Sequence, residues 1–250
     1  MRKLFSFIII VSLLSCNKDV DNSSGTRIYR IWQNNILATE FNYDAEGRIV
    51  RVNMGRDAHP FSETVFLYDN NGRLIRQNNA VNVSSSSTAV RMDSSFFEFS
   101  YDANGRIAEA RTYRLAKGTV IYASRTVPDY DNQGRVIAKT IYDTAGKAAT
   151  KTTFQYNSDD NIIVQDIYSF NNGAPVLNLH STYEYDRYNN PYKGKWVEPF
   201  GISRNNITKG SETGYSSGPS SFTIEYKKYN KNGYPLLTNE NGTECVYEYK

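Results

Sequence analysis

Imidazoles, thiols and paired carboxylates carry much of protein chemistry, and this chain of 250 residues has only two histidines and two cysteines. His59 lies beside Pro60 in an expected loop and His180 in an expected strand, neither with a cysteine or carboxylate at metal-ligand spacing. Cys245 shares its alternation face with Tyr247 and Tyr249, which predicts a small packed side chain rather than a nucleophile. Asp44, Asp69, Asp102, Asp131 and Asp186 each follow a tyrosine, a placement that predicts turn caps. Asp159 and Asp160, with Asn157 and Asn161, offer oxygen ligands, but their spacing matches no known calcium loop. Glycoside hydrolysis needs two carboxyls across a cleft. Asp159, Asp160, Asp166, Glu184 and Glu198 have no assigned turn role, and nothing in their spacing pairs any two of them. The sequence therefore assigns no catalytic residue, no metal site and no cofactor.

Binding chemistry has a better candidate. Trp196, Phe200, Arg204 and Tyr215 fall within a stretch from Tyr192 to Ser221 rich in Gly, Ser and Asn, and these residue types stack on sugar rings or anchor protein partners. Long loops of this kind are usually functional or disordered. The competing structural reading has Trp196 and Phe200 cap the end of a sheet. A second stretch, Gln77 to Arg91 with Ser84 to Ser87, reads as a solvated connection.

The remaining chemically distinctive residue is Cys16. It follows Met1-Arg2-Lys3 and an apolar run from Leu4 to Leu14, interrupted by Ser6 and Ser12 and too short to span a bilayer as a helix. Leu13-Leu14-Ser15-Cys16 resembles the lipobox of bacterial lipoproteins, with Leu14 where a smaller residue is commoner. The resemblance implies a signal peptide over residues 1–15 and acylation of Cys16. Each buried methylene adds about 0.8 kcal/mol of membrane affinity, so two or three acyl chains make a permanent anchor. The polar residues from Asn17 to Gly25 predict a flexible tether. Acidic residues close behind Cys16 resemble the surface-export signal of Bacteroidota lipoproteins. The expected location is the outer membrane, facing the periplasm or the cell surface.

The signal holds Arg2 and Lys3, so of 29 basic residues 27 remain against 26 acidic ones, a net charge of +1. Scattered cations without a one-sided cluster lack the counterion-release term that binds nucleic acid, so no nucleic-acid partner is expected. Residues 26–250 show no composition shift and predict a single domain. An acylated Cys16 leaves Cys245 without a disulfide partner.

The elements that must position these residues come from a repeat. Tyr43-Asp44-Ala45-Glu46-Gly47-Arg48-Ile49 recurs nearly intact from Tyr68, Tyr101 and Tyr130, and in degenerate form from Tyr156, Tyr185 and Tyr229. Asp or Asn caps free N–H groups two residues on, and Gly takes φ > 0, so each copy is a turn that closes a hairpin. Aromatic residues two apart approach each turn, as in Phe41 and Tyr43 or Phe97, Phe99 and Tyr101, which predicts an aromatic ladder across strands. Further turns fall at Lys117-Gly118, Asp143 to Gly146, Asn171 to Gly173 and Asn241-Gly242. The motif arginines Arg48, Arg73, Arg106 and Arg135 are expected to stack on tyrosine. The prediction is an all-β antiparallel meander of about 14 to 16 strands, either a curved open sheet or barrel-like. Strands such as Arg73 to Gln77 and Ala149 to Thr153 put charge or hydroxyl where a membrane barrel needs apolar residues, so the domain is expected to be soluble.

The four best copies resemble the YD repeats of Rhs and teneurin-type proteins, which wind into a β shell. The C-terminal third resembles Bacteroidota lipoproteins of unknown function with a porin-like β-sheet fold. That second likeness rests on Tyr185-Asp186 leading to Asn190-Pro191, on Asn205 to Lys209, on Asn232 to Pro235 and on Tyr247-Glu248-Tyr249. It implies a fold and no activity. The functional expectation is a lipid-anchored, non-catalytic binding or scaffolding protein, with an accessory part in glycan or nutrient uptake among the roles it would fit. The membrane would be a partner through the anchor, with a glycan or an envelope protein as the candidate for a second. A hydrolase acting on polysaccharide or envelope polymer and a structural subunit of an envelope complex are the alternatives.

Overall fold

A computed structural model of the chain describes residues 25–56, 59–84, 90–193, 202–214 and 218–250. Sixteen strands follow one another, beginning with β1 (Ile28–Gln33), β2 (Ile36–Tyr43), β3 (Ile49–Arg56), β4 (His59–Tyr68), β5 (Leu74–Ser84), β6 (Val90–Tyr101), β7 (Ile107–Ala116) and β8 (Thr119–Tyr130). They continue as β9 (Val136–Tyr142), β10 (Ala148–Tyr156), β11 (Ile162–Asn171), β12 (Ala174–Asn189), β13 (Asn205–Gly214), β14 (Ser220–Tyr229), β15 (Pro235–Glu240) and β16 (Thr243–Tyr249). Each pairs antiparallel with the next, and β1 pairs with β16, with Ile31 opposite Tyr247. The sheet is therefore a closed barrel. Closure removes both edges, whose unpaired N–H and C=O groups would otherwise template association with another chain.

The six described turns after even-numbered strands, and both ends of the β12–β13 connection, lie at one end of the barrel, together with both ends of the described chain. Arg27 and Lys250 exchange two backbone hydrogen bonds there, of 3.2 and 2.9 Å. This is the motif end. The described turns after odd-numbered strands lie at the hairpin end, where Lys117, Asn172 and Asn241 take φ near 50° and each is followed by a glycine with positive φ. All sixteen strands and the buried cluster fall within residues 25–250.

Alternation sorts the strands into two faces. Ile28, Ile31, Phe41, Ile49, Val52, Phe66, Leu74, Leu236, Cys245 and Tyr249 form one buried cluster on the lumen side. Outward positions carry ion pairs between neighbouring strands: Arg30–Glu40, Arg51–Glu63, Arg76–Glu98, Arg125–Glu109 and Lys209–Glu184.

Four expectations need correction. Gln77 to Ser84 is strand β5 rather than loop, and His59 opens strand β4 rather than standing in a loop. The break from Tyr192 to Ser221 contains a full strand, β13, paired with β12 and β14. Its glycine and serine content hid it from pattern reading. Gly210 has a packing reason: a Cβ there would collide with the ring of Phe222 on β14, so the bare backbone is the bed on which that ring lies. The fourth correction concerns Asp186, which lies inside β12 rather than in a turn.

Candidate functional site

One repeat shows how the motif end is built. The backbone N–H of Asp102 donates to the Arg106 carbonyl (2.8 Å) and that of Gly105 to the Asp102 carbonyl (3.0 Å). One carboxylate oxygen of Asp102 accepts from the backbone of Asn104 and Arg106, and the other from Arg106 Nε, all at 2.9 Å. The hydrogen bond from the Arg106 backbone, opposed by partial burial, holds this carboxyl below its ordinary value. Arg106 in turn lies 4.6 Å over the ring of Tyr130, whose hydroxyl donates to the carbonyl of Ile107 (2.9 Å). Tyr130 thus grips the backbone one motif earlier. Tyr68, Tyr101, Tyr156 and Tyr185 do the same to Ile49, Leu74, Val136 and Ile162.

The series breaks between β12 and β14, where a polar network replaces the arginine stack. Asn161, only 2% exposed, bonds Asn205 through both its amide oxygen and nitrogen. Ser203 Oγ accepts from the Ile162 backbone and donates to the Tyr185 hydroxyl. Asp186 accepts from the Tyr229 hydroxyl (2.6 Å) and from Asn206. Burial first, and then that hydrogen bond, raise the Tyr229 phenol above its ordinary value. This network anchors the start and end of the β12–β13 connection. Asn190 caps its own turn at Tyr192 N–H and bonds back to Ser203 and Arg204 carbonyls. Tyr192 reaches into the lumen, its ring 6.5 Å from that of Phe41 on β2. Burial holds its phenol well above the ordinary value and pushes that of Tyr185 to about 12, so both are protonated at neutral pH.

Against Tyr192 lies a cavity of about 600 Å³, partly open to solvent. Its walls come from two arcs of the ring: Ile31, Thr39, Phe41 and Met54 on β1 to β3, and Ile162, Gln165, Tyr183, Tyr185, Ile207, Glu212 and Phe222 on β11 to β14. β3 and β11 stand half the ring apart, so the barrel is narrow enough there for opposite walls to border one chamber. Gln165, Ser181 and Glu212 are register partners on three adjacent strands, and Gln165 and Glu212 line one wall. Ser181 is fully buried, and its hydroxyl has no hydrogen-bond partner.

Of the residues singled out from sequence, Cys16, Trp196, Phe200 and Tyr215 lie outside the described residues. Arg204 is exposed at the foot of β13, its carbonyl accepting from Asn190. Asp160 pairs with Arg135, Asp166 meets His180 at 2.6 Å, and Glu184 pairs with Lys209. These carboxylates are therefore spread around the structure rather than gathered across a cleft; Glu198 lies outside the described residues. Cys245 is buried opposite Gln33 and Thr238, and burial raises its thiol pKa. Among the described residues no group of His, Cys, Asp and Glu is placed to hold a metal ion. Sequence reading passed over Gln165, Ser181 and Glu212. A signal was present: Ser181 precedes Tyr183 and Tyr185 by two and four residues, a polar side chain on the aromatic face.

Fold and site together define a closed sixteen-stranded antiparallel meander barrel with an apolar-walled lumenal chamber. No protein-family model matches the chain, and no curated protein matches it. Among solved structures it is similar to a porin-like protein from Bacteroides uniformis, at 11% identity and a TM-score of 0.43, over 90% of this chain and 99% of that one. A porin-like protein from Bacteroides vulgatus is similar over the same shares, at 8% identity and a TM-score of 0.41. The Tc holotoxin pore of Photorhabdus luminescens is similar at 15% identity and a TM-score of 0.33, over 81% of this chain and 12% of that one.

Proposed function

We propose that this chain is a non-catalytic binding protein of the bacterial envelope, anchored by acyl chains on Cys16, whose barrel stands in water and holds a small molecule in its lumen. The observation that carries the reading is the chamber of about 600 Å³. Ligand sites run from roughly 300 to 1,000 Å³, with apolar walls and a few placed polar groups, and this chamber has both. The outer face supports the aqueous setting. An arginine or lysine facing lipid at the bilayer midplane costs about 2 to 4 kcal/mol, and Arg30, Arg51, Arg76, Arg111 and Arg125 all point outward. Aromatic walls suit a nutrient or a glycan fragment with flat apolar faces.

The test is titration of residues 25–250 with N-phenyl-1-naphthylamine, a neutral probe whose fluorescence rises in apolar surroundings. One probe should bind per barrel. Ile207→Trp, which fills the chamber, should weaken binding at least tenfold, while the outward Lys209→Ala leaves it unchanged. Equal binding by both variants, or none by the parent domain, sinks the reading.

A further inference from the structure

Resting on that lumenal reading, we infer that the chamber takes an organic cation, an ammonium group carried on an apolar body, and that Glu212 is the residue that selects it. Glu212 is the one charged side chain among the described residues that line the chamber, and no lysine, arginine or histidine is among them. It has no ion-pair or hydrogen-bond partner among the described residues. That sets it apart from Glu40, Glu63, Glu98, Glu109 and Glu184, each paired with a cation on the outer face. An unpaired carboxylate turned toward a largely apolar chamber attracts a cation more strongly than one in bulk water, because the dielectric screening is weaker.

The neighbours favour the same ligand. Ser181 stands in register between Glu212 and Gln165, its hydroxyl fully buried and unpartnered. Phe41, Tyr183, Tyr192 and Phe222 put aromatic rings in the chamber's lining. Aromatic faces attract ammonium through their quadrupoles within about 6 Å, and most when both are desolvated. The phenols of Tyr185 and Tyr192 are protonated at neutral pH and bring no second negative charge. A carboxylate ligand meets the opposite situation: one fixed negative charge and no fixed positive one.

Three compounds of one shape separate these cases: 4-phenylbutylamine, 4-phenyl-1-butanol and 4-phenylbutyrate, each competing with N-phenyl-1-naphthylamine on residues 25–250 at pH 7 and low salt. The amine should displace the probe at a concentration at least tenfold below that of the alcohol, with the acid weakest. In Glu212→Gln the ratio of alcohol to amine should fall to within twofold. This ratio is taken within one sample and does not depend on the variant's absolute affinity. The parent-domain series stands by itself if the variant fails to fold. If the probe does not bind the parent domain, the chamber reading itself fails. If the probe binds but amine and alcohol compete equally, or the acid competes best, the chamber stands and the cation inference is overturned. An amine preference that survives in Glu212→Gln removes Glu212 from the selecting role.

Discussion

The repeat works because each residue of its turn answers a different physical demand. The aspartate satisfies backbone donors with one oxygen and holds the arginine with the other, the arginine covers the next tyrosine, and the tyrosine bonds back to a strand's first carbonyl. The glycine is there for its backbone. Gly105 has a φ of +75°, and a Cβ added to it would meet nothing within 4 Å, so substitution there costs conformational strain alone. Gly105→Val should destabilise the barrel by about 1 to 3 kcal/mol, whereas Asn104→Ala, which removes no side-chain contact of the turn, should stay within about 0.5 kcal/mol. Urea melts of the two variants compare them directly, and equal stabilities would refute the turn's role. These residues were legible in the sequence because the turn is local. Tyr, Asp, Gly and Arg within six positions meet through geometry that the backbone imposes without help from the rest of the fold.

Strands are less legible when their neighbours do the stabilising. β13 reads as a loop from its own residues, yet β12 and β14 supply its hydrogen bonds, and Gly210 is small because the ring of Phe222 lies across it. Asp186 was likewise misread, since its motif position suggests a cap, whereas β12 runs on to Asn189 and carries it into the polar network. The two aspartates should therefore respond differently to mutation. Asp186→Ala strands the Tyr229 hydroxyl and the buried Asn206 amide, each loss worth about 1 to 3 kcal/mol. Asp69→Ala opens an exposed turn whose donors water can satisfy, at about 1 kcal/mol. Thermal melts should show the larger drop for Asp186→Ala. The reverse order would mean that the β12–β13 connection is not held by this network.

At the scale of the whole molecule, the anchor and the barrel divide the work: on the proposed reading, membrane affinity resides in the acyl chains of Cys16 and the barrel has none of its own. Cys16→Ser should lose palmitate label, and in Triton X-114 phase separation it should move from the detergent phase to the aqueous one. Retained label would remove Cys16 as the acylation site. An unlabelled variant that stays in detergent would show that the barrel itself takes up lipid, against the outward ion pairs. The sequence by itself determined the all-β class, the hairpin repeat and the approximate number of strands, because turn chemistry and alternation are written in residues close together along the chain. Closure of the ring, the approach of β3 to β11 and the isolation of Glu212 inside the chamber were decided only by tertiary structure. Each depends on residues far apart in the chain, Ile31 paired with Tyr247 at the β1–β16 seam, Met54 and Gln165 on opposite walls of one chamber, and no spacing along a strand records how far around the ring its opposite wall will fall.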